Sequence, residues 1–183
     1  MPPYDNTIKK NGLPLIFEIG NFAENGIGTP NIRKGDALRT LVTSLSGFQK
    51  EALVSSRRTG KTWRMVSDEG KYLNGYDAAP PPLAFLTVGM IASYMNEITA
   101  LAKRQTVEIR HLKLIIDNYF TMTGSMLKRT MVAGAEPIDL QVEIDCDLTD
   151  GALNQFLMIS QRRGGMLGAA RYGLLFGQAK LSQ

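Results

Sequence analysis

An α+β fold is what this sequence predicts, and three stretches predict it. Pro80 to Arg104, PPPLAFLTVGMIASYMNEITALAKR, opens on three prolines. Only the last can sit in the first turn of a helix, where its missing N–H would have had no partner anyway. A helix therefore starts near Pro82 and runs to Arg104 without another proline, a rod of roughly 33 Å for about 22 residues. Phe48 to Ser55 and Thr62 to Ser67 flank the Gly-containing turn Arg57-Arg58-Thr59-Gly60-Lys61, the pattern of a β-hairpin. Pro137 to Asp147 places Ile138, Leu140, Val142, Ile144 and Cys146 at every second position, one face of a strand.

The long helix is the expected centre of the fold. Leu83, Leu86, Met90 and Ile98 face one way while Phe85, Val88, Ala92 and Met95 face others, so cover is expected around most of its circumference. Its length also suits a membrane span. Asn96 and Glu97 in the middle and basic residues at one end only, Lys103 and Arg104, argue for a buried helix instead.

With 183 residues, 44% hydrophobic and 21% charged, the chain suits one globular domain with a substantial core. The reading is a single domain, 1–183, with an N-terminal arm over 1–45 and a core over 46–183. A net charge of +4 falls in small groups (Arg57, Arg58, Lys61, Arg64; Arg162, Arg163), which does not indicate nucleic acid. Cys146 is the one cysteine, so a single chain can form no internal disulfide, cysteine-type zinc cluster or two-cysteine redox cycle. Neither a metal nor a cofactor is expected. MPPYDNTIKKNG carries no apolar signal region, so a cytoplasmic location is the expectation.

In chain order, residues 1–12 read as an arm or frayed end, and Leu15 to Gly20 as a short strand before a loop rich in Gly, Asn and Pro through Gly35. The hairpin follows, ended by Asp68-Glu69-Gly70, and a loop over 71–81 leads into the helix. Thr106 to Asp117 alternates as a half-buried strand, with His111 on the side of Ile109 and Lys113. Residues 118–136, rich in Met and Gly, read as a connection. Leu148-Thr149-Asp150 reads as an N-cap region for a second helix, Gly151 to Arg163, with Leu153, Phe156, Leu157 and Ser160 inward. A last strand is expected within Tyr172 to Leu181.

This order, hairpin, Pro-led helix, strands, DLTD, second helix and last strand, resembles the OsmC/Ohr superfamily from about Phe48 to Leu181. The anchors are VSSRRTGKTWRMVSDEG, the helix PLAFLTVGMIAS, which is similar to the family's Pro-x-x-Leu-Leu-x-x-Ala-x-x-Ser-Cys pattern, and DCDLTDGALNQFLMISQRRGG. The resemblance implies antiparallel sheets wrapped around the long helix in an intertwined homodimer. It also implies a thiol-dependent organic hydroperoxide reductase, and here the residues depart from the pattern. The family's reactive cysteine falls on Ser93, or on Tyr94 with a one-residue slip; its second cysteine falls on Gly164; its helix-start carboxylate falls on Leu83. Only the hairpin arginine has counterparts, Arg57 or Arg58. A serine hydroxyl without an adjacent base is a poor substitute for a thiolate, so hydroperoxide reduction is not expected to survive.

Two function classes remain. In the first, the protein binds a small apolar or aromatic molecule at a dimer-interface pocket bounded by Ser93, Tyr94, Asn96, Glu97, Gly164, Met166 and Arg57 or Arg58. In the second, it is a non-thiol enzyme with Glu97 as general acid or base and Ser93, Asn96 and an arginine orienting a polar substrate. Ser93, Asn96 and Glu97 stand at i, i+3 and i+4, hence on one helix face. The plainer readings are that Glu97 pairs with a nearby cation and Ser93 bonds back to the carbonyl of residue 89. Arg57 and Arg58 read more readily as solvated turn residues than as an anion clamp, His111 as a surface or satisfied histidine, Cys146 as a small apolar filler and the methionines chiefly as core.

Overall fold

Asn6 opens the first helix. Its side-chain oxygen accepts from the Lys9 N–H at 3.0 Å, and the single turn α1 (Thr7–Asn11) closes on Gly12 in the left-handed region at φ +59°. A capped helix therefore stands where the sequence reads as a frayed arm. The computed structural model describes residues 5–12, 14–21, 24, 26–27, 36–125, 127–163 and 180–181. Its contacts divide the chain into two compact units, Met1–Phe85 and Leu86–Gln183.

The first unit is a four-stranded antiparallel sheet in the order β1-β4-β3-β2, made of β1 (Ile16–Asn21), β2 (Leu38–Ser46), β3 (Gln49–Ser56) and β4 (Lys61–Ser67). The expected hairpin is β3 and β4, paired from Lys50 with Ser67 to Ser55 with Thr62. Gly60 closes its turn at φ +72°, where its N–H donates to the Ser56 carbonyl at 2.9 Å. β2 is an addition to the expected elements, pairing with β3 from Leu38 opposite Ser56 to Ser46 opposite Gln49. Ile8 of α1 packs with Val66 and Ala79, so the segment before the sheet is part of this unit's core.

Beneath that core lies a buried polar cluster. Gln49 Oε1 accepts from the Ile8 N–H at 3.1 Å, while its Nε2 donates to Asn6 Oδ1 at 2.9 Å and to Asp68 Oδ2 at 3.2 Å. Asp68 also accepts from the backbone of Glu69, Tyr76 and Ala78, which folds the loop around the 3₁₀ turn Lys71–Leu73 back onto the end of β4. Gly75 is required in this loop: a Cβ there would lie 1.8 Å from the Glu69 carbonyl oxygen.

α2 (Pro82–Gln105) begins at the last of the three prolines. It buries one stripe, Met90, Tyr94, Ile98, Leu101 and Ala102, and leaves Leu83, Leu86 and Val88 exposed. Its length and composition alone would allow it to cross a membrane. The helix ends at Thr106 in the left-handed region at φ +57°, with the Val107 N–H donating to the Ala102 carbonyl at 3.0 Å. This is the Schellman arrangement with a β-branched residue where glycine is usual.

The second unit's sheet runs β5-β8-β9, from β5 (Ile109–Asp117), β8 (Asp139–Cys146) and β9 (Lys180–Leu181), and β6 (Phe120–Thr123) pairs with β7 (Val132–Ala135) as a separate hairpin. That hairpin occupies the span expected to be a connection. β5 and β8 are antiparallel, and β9 joins β8 in parallel at Gln141 and Val142. The strand expected over Tyr172 to Leu181 falls outside the described residues except for this pair. α3 (Asp150–Arg163) starts with the Leu153 N–H donating to the Thr149 carbonyl at 2.8 Å, and buries Phe156, Leu157 and Ser160. Tyr94, Ile98 and Leu101 of α2 pack with Leu140 and Val142 of β8 and with Phe156 and Leu157 of α3 in one core.

β5 departs from simple alternation. Its register against β8 shifts between Ile109 and His111, a β-bulge at Arg110. The extra residue returns Ile109 to the side of Leu112, Leu114 and Ile116, all packed against the core, and leaves His111 with Lys113 on the open side. His111 and Ile109 therefore do not share a face, because the bulge interrupts the period of two.

Candidate functional site

Ser93, Asn96 and Glu97 do lie on successive turns of α2, half-buried, exposed and half-buried respectively. Ser93 forms no hydrogen bond with the described residues, so it does not bond back to residue 89. Glu97 pairs with Arg104 two turns along the same helix, Oε2 to Nη2 at 3.8 Å, with 31% of its side chain exposed. The carboxylate thus has a cation beside it and solvent access.

Tyr94 points the other way. It is 4% exposed, and its hydroxyl donates to the Leu157 carbonyl of α3 at 3.2 Å. Burial pushes its pKa up to about 12, since the phenolate would have to form without water. Tyr94 is a tie between two helices of the second unit.

Of the hairpin arginines, Arg58 donates to Asp36 Oδ2 at 3.0 Å and is largely exposed, while Arg57 is half-buried and its N–H extends the β2–β3 pairing to the Ala37 carbonyl at 3.0 Å. Both belong to the first unit, and Ser93, Asn96 and Glu97 to the second. Gly164 and Met166 fall outside the described residues. Cys146 ends β8 opposite Ile109 and is half-buried, not fully buried. Among the described residues no three His, Cys, Asp or Glu side chains come together as a metal site would need.

A cleft of about 400 Å³ opens in the second unit away from Ser93, where the last two turns of α2 meet the start of β5. Ala102, Val107, Ile109 and Leu112 form its apolar part, and Thr99, Lys103 and His111 its polar edge. Arg110 also borders it, held by Asp145 and the Cys146 carbonyl, and Asp145 is in turn kept below the usual carboxylate range by that guanidinium. Sequence reasoning missed this hollow. Its one signal was Thr106, a β-branched residue at the point where the helix has to stop.

No family model and no curated sequence matches the chain. Solved structures do. An OsmC-like protein from Mycoplasma pneumoniae superposes with a TM-score of 0.59 at 15% identity, over 83% of this chain and 100% of that one. The organic hydroperoxide resistance protein OsmC from Legionella pneumophila gives 0.57 at 14%, over 80% and 95%. An osmotic stress induced and detoxification response protein from Psychrobacter arcticus 273-4 gives 0.57 at 12%, over 78% and 94%. At such identities the likeness speaks to fold, and it spans both units: the solved structures this chain resembles are OsmC/Ohr-like proteins, and its fold is the OsmC fold.

Proposed function

We propose that this protein keeps the OsmC fold without thiol peroxide chemistry, and that it binds a small apolar or aromatic molecule beside Ser93 as a cytoplasmic homodimer. The Legionella protein is an organic hydroperoxide resistance protein; the thiol-dependent hydroperoxide reduction that the family resemblance implies would require a thiolate at this helix position. The observation that carries the reading is the residue at the helix position which the family resemblance assigns to the reactive cysteine. It is Ser93, half-buried on a mostly apolar helix, with its hydroxyl unspent. The chain's one sulfur nucleophile, Cys146, closes β8, and with no second cysteine in the chain nothing within it can resolve an oxidised product.

A second reading, general acid–base catalysis by Glu97 with Ser93, Asn96 and an arginine, is less favoured by the same geometry. The Glu97–Arg104 pair gives the carboxylate a structural task and keeps it near solvent, where an acid–base group is least specialised.

The test has two parts. The purified protein with a dithiol reductant should consume organic hydroperoxide no faster than a denatured control; turnover abolished by Cys146→Ser would overturn the reading. Native mass spectrometry of protein purified under mild conditions should show a bound small molecule. Glu97→Gln should then retain it within about 1–2 kcal/mol, the scale of one altered hydrogen bond. Loss of a turnover by about 10² or more on that substitution would instead establish the acid–base enzyme.

A further inference from the structure

The cleft at the end of α2 is bracketed by two backbone irregularities. Thr106 stands in the left-handed region at φ +57°, unusual for a β-branched residue, and three residues separate it from the bulge at Arg110. Together they turn the chain from helix into strand so that Lys103, on the last turn, and His111, just past the bulge, border the same hollow. Without the bulge, His111 would share a side with Ile109 and point with it toward the core. Strained conformations and bulges of this kind gather at ligand sites.

The charges of the hollow are unevenly matched. Arg110 is neutralised by Asp145, with Glu108 and Asp147 also acting on it, and His111 acts on Asp145. Lys103 lines the cleft and forms no ion pair or hydrogen bond with the described residues. Ala102, Val107, Ile109 and Leu112 supply the apolar part of the cleft's lining. A volume of about 400 Å³ is in the small-ligand range, and an open cleft with a short apolar floor suits a compact body in preference to a long chain.

We infer that this cleft is a second binding site, for a small organic carboxylate whose aromatic or branched apolar body rests on Val107, Ile109 and Leu112 while its carboxylate meets Lys103. The imidazole of His111 borders the same edge, whereas the Thr99 hydroxyl already donates to the Met95 carbonyl at 2.9 Å. The assignment is independent of the proposal for Ser93, which lies elsewhere on α2.

The experiment is a titration of the full-length, isotopically labelled protein with 4-tert-butylbenzoate, followed by amide chemical shifts, alongside 4-tert-butylbenzyl alcohol of nearly the same shape without the charge. The benzoate should saturate, with shifts concentrated at residues 99–112, and bind at least about tenfold more tightly than the alcohol, the worth of one charge-assisted hydrogen bond. Lys103→Glu, on an exposed position, should weaken it at least about tenfold. Lys71→Glu, equally exposed in the first unit, should leave it unchanged. Failure to saturate, equal affinity for acid and alcohol, or indifference to Lys103→Glu each overturns the site. Shifts confined to the neighbourhood of Ser93 would overturn it too, while supporting the separate proposal made there.

Discussion

Gln49 and Asp68 meet in the interior of the first unit, Nε2 to Oδ2 at 3.2 Å, with 1% and 0% of their surfaces exposed. The pair joins two segments: the amide of Gln49 reaches out to α1 through Ile8 and Asn6, and the carboxylate gathers the loop after β4. Asp68→Ala would leave the N–H groups of Glu69, Tyr76 and Ala78 and one N–H of Gln49 without their acceptor. Each buried donor left unpaired costs about 1–3 kcal/mol before water or local relaxation recovers part of it. The expected loss is about 2–4 kcal/mol in urea unfolding, at the high end for a point mutant. Gln49→Ala should cost less and have a distinctive sign: residues 5–12 become sensitive to brief proteolysis, because the Ile8 N–H and Asn6 both lose their tether. Unchanged stability in Asp68→Ala would show that the cluster is not the anchor of the loop.

Thr106 gives a prediction of the opposite sign. Its place after α2 demands φ +57°, which a β-branched side chain tolerates poorly and glycine adopts freely. Thr106→Gly should raise stability by about 0.5–1 kcal/mol, less what the freer unfolded chain takes back, a rise of roughly 1–4 °C in Tm for a chain of this size. A fall in Tm would mean that the threonine side chain makes a contribution that outweighs its backbone strain.

These two sites also show what the residues disclosed and what they hid. The Pro82 start, the β3–β4 hairpin, the β8 stripe and the inward face of α3 were legible because each rests on a local rule, a proline in a first turn or an unbroken period. β2 was not. Leu38, Leu41, Val42 and Leu45 carry the spacing of a helix, and the segment is held as a strand by pairing along the whole length of β3, with Leu38, Leu41 and Val42 left exposed. The bulge at Arg110 was hidden likewise, since one extra residue looks in sequence like a lapse of alternation and moves Ile109 to the other face. α1 is too short for periodicity to speak, and its stability comes from Gln49, 41 positions away from Ile8. For the candidate site, the shared helix face of Ser93, Asn96 and Glu97 was legible from i, i+3, i+4 spacing. That Glu97 would pair with Arg104 of its own helix, and that Tyr94 would turn into the core, depended on packing that no spacing rule encodes.

Tyr94 makes stability depend on pH in the alkaline range. Its phenol is held protonated in the folded chain up to about 12, whereas in the unfolded chain it ionises near the ordinary value of 10. Below pH 10 both states keep the proton and the full stability is present. As pH rises from 10 toward 12 only the unfolded state releases it, so folding stability falls, by about 2–3 kcal/mol over the interval. Tyr94→Phe should flatten this part of the stability profile, at the cost of about 1 kcal/mol at neutral pH for the lost bond to the Leu157 carbonyl. In ultraviolet titration of the folded protein Tyr94→Phe should remove a late-appearing phenolate, which is distinct from that of Tyr119, itself raised by its hydrogen bond to Asp139. A wild-type profile between pH 10 and 12 no steeper than that of Tyr94→Phe would count against the buried phenol.

The last prediction concerns the first two turns of α2. Leu83, Leu86 and Val88 are 45%, 42% and 62% exposed in the single chain, and they do not lie on one face: Leu83 and Leu86 point one way and Val88 nearly the opposite way, given 100° per residue. Large apolar side chains open on two sides of a helix favour further cover, since water at such a surface costs about 25 cal/mol for each Å². A second copy is the cover we propose, and it would have to bury on the order of 1,000 Å² or more in total to be stable. Sedimentation at micromolar concentration should therefore give twice the 20.1 kDa chain mass. Val88→Glu and Leu86→Glu place charges on opposite sides of the same two turns, at positions already reached by solvent in the single chain, so each should leave the fold of the chain intact by circular dichroism. If the helix is enclosed by the partner, both substitutions should shift the equilibrium toward the monomer by a factor of about 10² or more, because each buries an unpaired carboxylate. If only one does, the partner covers one side of the helix and the enclosing arrangement is wrong. A wild-type protein that sediments at the mass of one chain would remove the dimer altogether.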